Sequence, residues 1–190
     1  MWIESNTAKV FIGCGAVFCF VLLAWAGLRW SRAWVKKSGY YAMEVHGYGN
    51  VAPESPTFTA LSDSDRARLD AQRSIVLGAL KEKYGISALR KDKSDLALLQ
   101  RLLDDGVFSI EQTIELQSMG VVFGDILVEE LGLKWIMISD QYGTDPTVHI
   151  PETTVCFNSL TMISKRIEEG REVDVNRLFQ IVAAEIQRLR

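Results

Sequence analysis

One stretch of this 190-residue chain could assemble a nucleophile, a base and an orienting acid: Cys156 as thiol, His149 as base, and Asp140 or Asp145 as the carboxylate holding the imidazole. The chain has two histidines, and His46 lies far upstream among glycines, prolines and tyrosines, so a histidine relay must form around His149. The run Val155-Cys156-Phe157 reads instead as a small thiol packed into a core. Asp140, Asp145 and Glu152 crowd one turn, but DQYGTD lacks EF-hand spacing and no Cys-x-x-Cys or His-Glu-x-x-His occurs. Neither metal nor cofactor is therefore expected. Lys165 and Arg166, with Glu168, Glu169, Arg171 and Glu172 close behind, could hold an anion or dock a partner, or could simply complement a helix dipole. The expected site is thus a binding surface without catalytic residues, with Lys165, Arg166, Asp140, Tyr142 and His149 as its candidates.

The elements that would position these residues follow from caps and periodicity. Ser62 and Asp65 form a capping box ahead of an apolar stripe through Leu69, Val76 and Leu80, which predicts a helix from Ser62 to Tyr84 stopped by Gly85. Leu96, Leu99, Leu102 and Leu103 predict a second helix ending at Asp104-Asp105-Gly106. Ser109 with Gln112 caps a third, running to Leu131-Gly132. Gly120 and Gly124 lie inside that third helix at a cost of about 2 kcal/mol relative to alanine, so another backbone is expected to pack closely there.

After Gly132 the period changes. Leu133 to Asp140 reads as a central strand, Gln141 to Pro146 as a turn, and Thr147–Ile150 and Thr153–Phe157 as two further strands of a three-stranded antiparallel meander. Asn158 or Ser159 caps a helix that ends at Gly170, and Asp174 caps a last one. Helices, a small sheet, then helices make an α+β domain over residues 61–190.

Upstream, Val10 to Leu28 carries no charge, and its 19 residues at ~1.5 Å each would span about 28 Å against a hydrocarbon core of roughly 30 Å. Trp25, Trp30 and Trp34 crowd its far end, and Arg29, Arg32, Lys36 and Lys37 follow. These features predict a single-pass anchor in a bacterial inner membrane over residues 1–38, touching lipid and leaving the C-terminal side in the cytoplasm. Residues 39–60 would be a tether. A cleavable signal is the rival reading, since Ala24-Trp25-Ala26 precedes Gly27, but four basic residues just past the cut oppose export. Residues 40–190 carry an acidic excess of seven, which argues against nucleic acid as partner.

The phrases GDILVEELGLKWIMISDQYGTDPTVHIP and LTMISKRIEEGREVDVNRLF resemble a bacterial family known as domain of unknown function 3806, over roughly residues 110–190. The resemblance implies a compact α+β domain and carries no reaction or catalytic residue. The expected function is a membrane-tethered, non-enzymatic module that binds an unidentified protein. The alternatives are a hydrolase-like enzyme using Asp140, His149 and Cys156, or a protein that neutralises a toxin.

Overall fold

A computed structural model describes residues 56–189. Among these the elements run β1 (Thr57–Thr59), α1 (Asp63–Tyr84), α2 (Ser94–Asp104), α3 (Thr113–Leu131), β2 (Lys134–Asp140), β3 (Gly143–His149), β4 (Cys156–Phe157), α4 (Ser159–Glu168) and α5 (Val175–Leu189). Local chemistry sets most boundaries. The Ser62 hydroxyl accepts the Asp65 amide at 3.2 Å, and the Asp65 carboxylate accepts the Ser62 amide at 3.0 Å, closing the capping box that starts α1. Gly85 ends α1 and Gly132 ends α3, both in the left-handed region at φ 71° and 68°, where a side chain would be strained. The α3 start differs from expectation: Gln112 does accept the Ser109 amide at 2.9 Å, yet the regular helix begins only at Thr113.

Helix α3 is the axis of the domain. Every residue from Ser118 to Leu127 is buried, the pattern of a helix covered on all sides. Helices α1 and α4 pack along it, and Leu116, Phe123, Ile126 and Leu127 share one core with Leu80, Leu99, Ile163, Phe179 and Ile186. The expected close approach is present. A Cβ on Gly120 would stand 2.3 Å from the Leu160 carbonyl oxygen, and one on Gly124 would stand 2.4 Å from the Trp135 ring. Glycine therefore admits the backbone of α4 at one position and an indole at the other, which offsets its poor helix propensity.

The sheet corrects the expected three-stranded meander. It has four strands in the order β1-β2-β3-β4, all antiparallel. The extra strand comes from the end of the segment read as a tether: Thr57, Phe58 and Thr59 pair with Ser139, Ile138 and Met137. Two β-branched residues around an aromatic favour a pleated edge, but the partner strand lies beyond three helices, where no local pattern can reveal it. Strand β3 also starts earlier, at Gly143, and takes in Pro146 opposite Met137. Strand β4 pairs only with Val148 and His149, so Pro146 lies where β3 has no second neighbour and a missing N–H costs nothing.

The described residues supply no membrane helix of the kind the expected fold includes: none of their helices is long and apolar enough to cross a membrane. The expected span, with Trp25, Trp30, Trp34, Arg29, Arg32, Lys36 and Lys37, lies outside the described residues. Even α3, buried on every side from Ser118 to Leu127, carries Asp125 there, whose charge is met by a protein side chain.

Candidate functional site

Asp125 lies at 6% exposure inside the most buried helix, so its charge must find partners within the protein. Helix α1 supplies Arg73 at the height of Asp125. The guanidinium donates from Nε to Oδ2 and from Nη2 to Oδ1, both at 2.6 Å, in a side-on bidentate pair. Strand β2 supplies the third member, because the Trp135 indole Nε1 donates to Oδ1 at 2.9 Å. Arg73 also donates from Nη1 to Asp70 at 2.7 Å, one turn back on α1. The Asp125 hydrogen bond, followed by the charges and hydrogen bonding of Asp125 and Asp70, raises the Arg73 pKa further against burial, which lowers it. One carboxylate thus fixes a guanidinium and an indole from separate elements.

These locked groups line a cleft of about 420 Å3 between α1 and β2. Its floor is Leu69, Val128, Leu133 and Trp135, and Arg66 and Lys134 stand at its rim beside Arg73. Arg66 donates to the Leu61 carbonyl at 3.2 Å, and neither Arg66 nor Lys134 has a carboxylate within ion-pair distance among the described residues. The one carboxylate among the residues lining the cleft is Asp70, and it is paired with Arg73. Tryptophan and arginine on an apolar floor are the side chains that carry energy at protein interfaces.

A larger cleft of about 710 Å3 lies between the end of α2 and the link from α4 to α5. Gln100, Asp174 and Arg171 among its polar groups are engaged in contacts within the fold. Gln100 donates to the Val173 carbonyl at 3.1 Å and accepts the Val175 amide at 2.9 Å. Asp174 caps α5 by accepting the Arg177 amide at 2.9 Å, and Arg171 pairs with Glu169.

The residues singled out from sequence fall on two regions of the domain. Asp140 and Tyr142 form the β2–β3 turn, with the Tyr142 amide donating to Asp140 Oδ1 at 2.8 Å and the Tyr142 ring 73% exposed. Strand alternation puts Asp140, His149 and Cys156 on the sheet face turned away from α3, where twist brings the Phe58 ring within 6.2 Å of the imidazole. His149 sits directly opposite Cys156 on β4 and Lys134 on β2. Burial and then the Lys134 charge push the His149 pKa down, and its Nδ1 is buried without a hydrogen-bond partner. Burial pushes the Cys156 thiol up, a Thr147 hydrogen bond opposes this, and the Asp140 charge adds to it. Both shifts disfavour the thiolate–imidazolium pair that nucleophilic chemistry would need.

Lys165 and Arg166 stand in the last turn of α4. Lys165 is exposed, whereas Arg166 is half-buried and turns back along its own helix to donate to the Met162 carbonyl at 2.6 Å. Burial, then the Arg171 charge, lowers the Arg166 pKa, with Glu169 opposing. Arg73, Asp125 and Trp135 escaped the sequence reading as a site. A signal was present for one of them: a carboxylate in the run Val121-Val122-Phe123-Gly124-Asp125-Ile126-Leu127-Val128 had to be paired.

Residues 95–179 match the family model of a domain of unknown function, DUF3806. The match begins in α2, ahead of the stretch that carried the resemblance, and ends in α5. A crystal structure of a Bacteroides thetaiotaomicron VPI-5482 protein has the same fold, with a TM-score of 0.61 at 15% identity over 71% of this chain. The chain spans 50% of that protein's length. No curated protein matches.

Proposed function

We propose, taking as premise a DUF3806 domain at residues 95–179, that this chain is a non-enzymatic protein-interaction module that holds its partner at the α1–β2 cleft. What supports the reading is the use made of Asp125. A buried ion pair contributes little net stability compared with apolar packing of the same volume, because desolvating both charges offsets their attraction. Its specific effect here is to hold an arginine and a tryptophan rigidly at the wall of a concave, apolar surface. Preorganised side chains lose less entropy on binding, which favours recognition.

Comparing two sets of variants in co-purification from native cells tests this reading. His149→Ala and Cys156→Ser should retain the partner and the cellular activity, whereas Trp135→Phe, which keeps the packing but loses the indole donor, together with Lys134→Glu should reduce recovery. Full activity loss in a well-folded His149→Ala protein that still holds its partner would make the domain an enzyme instead.

A further inference from the structure

Strand β1 covers only part of its neighbour. It pairs with Met137, Ile138 and Ser139, so among the described residues no strand faces Lys134–Ile136 on that side of β2. The chain leaves the edge after Thr59, and the Leu61 side chain turns in against Leu69, Val121, Met137 and Leu160 before α1 begins. The first half of β2 is therefore an open sheet edge, and the α1–β2 cleft, lined by Lys134 and Trp135 of that same half, lies beside it. Open edges of this kind accept an added strand, with main-chain hydrogen bonds giving affinity and side-chain pockets giving selectivity.

Charge indicates which segment fits. The domain is acidic overall, yet this rim presents Arg66 and Lys134 without carboxylate partners among the described residues, while Asp70 and Asp125 are both taken by Arg73. We propose that the edge takes an extended segment of a partner protein that adds to β2 at Lys134–Ile136, lays an apolar side chain on Leu69 and Trp135, and sets carboxylates against Arg66 and Lys134. This deepens the interaction reading above and rests on it. In an extended segment alternate residues point the same way, so the matching sequence alternates apolar and acidic residues, and three to five of them cover roughly 10–17 Å of edge.

Panning a phage-displayed random heptapeptide library against the full chain tests the proposal. The expected result is enrichment of peptides alternating apolar residues with Asp or Glu, with affinity falling at least tenfold on Lys134→Glu or Arg66→Glu and on N-methylation of alternate peptide amides. Basic consensus sequences, apolar residues at helical spacing, indifference to N-methylation, or no enrichment would each overturn it. So would concentration-dependent self-association lost on Lys134→Glu, which would make a second copy the occupant. If the peptides fail while the native partner is still recovered by wild type and lost by the Trp135→Phe/Lys134→Glu variant, this occupant is wrong and the interaction module stands. If that recovery fails too, both fall.

Discussion

Replacing Asp125 by alanine tests the centre of the domain. The carboxylate accepts three hydrogen bonds, two from Arg73 at 2.6 Å and one from Trp135 at 2.9 Å, from side chains on two other elements. Removing one partner of a buried ion pair costs about 3–5 kcal/mol, chiefly because the other charge is left desolvated. Here Arg73 retains some water at 19% side-chain exposure, and retains Asp70, itself 73% exposed, which places the expected loss near the lower end, at about 3 kcal/mol. Asp125→Asn keeps an acceptor for the indole and should cost roughly half as much. The double change Arg73→Met with Asp125→Leu removes both charges and should recover most of the loss, since apolar replacement of a whole pair is often neutral or better. Urea unfolding of the full chain followed by far-UV circular dichroism reads these differences as shifts in midpoint at constant slope. A loss below about 1 kcal/mol for Asp125→Ala, or a double variant no more stable than that single one, would refute the view that this pair ties α1 and β2 to α3.

Two glycines on different helices should respond in opposite directions. Gly120→Ala drives a Cβ to 2.3 Å from a backbone carbonyl of α4, so overpacking of about 1–3 kcal/mol should exceed the helix-propensity gain; at Gly78 nothing lies within 4 Å, and alanine should stabilise by up to ~1 kcal/mol, both read as thermal midpoints. His149 gives a pH signature: its folded pKa is held below the unfolded value of about 6.5, so unfolded chains bind the proton first as pH falls. Stability should be full above that value and decline as pH drops through the folded pKa, by at most about 1.4 kcal/mol per unit, and His149→Phe should remove this component from urea midpoints measured between pH 7 and 5.

The sequence by itself determined the helices and most of their ends, because those depend on contacts a few residues long. Ser62 with Asp65, Gly85, Gly132 and Asp174 act on the turn they terminate, and the apolar spacing through Leu69, Val76 and Leu80 lies on one helix face. It also determined that something must lie close to Gly120 and that a small sheet follows Gly132. Tertiary structure decided the rest. Thr57–Thr59 becomes a strand only because β2 presents an edge beyond three intervening helices, and Pro146 can stay in β3 only because β4 stops short of it. Asp125 announced that it needed a partner, but the choice of Arg73, 52 positions upstream, follows from how α1 crosses α3. Gly124 makes room for the Trp135 ring, and that placement lets the indole reach the same carboxylate. The cleft is made by these long-range placements together, so no window of the sequence contained it. Packing α1 beside β2 around a buried charge brought its walls within reach of one another.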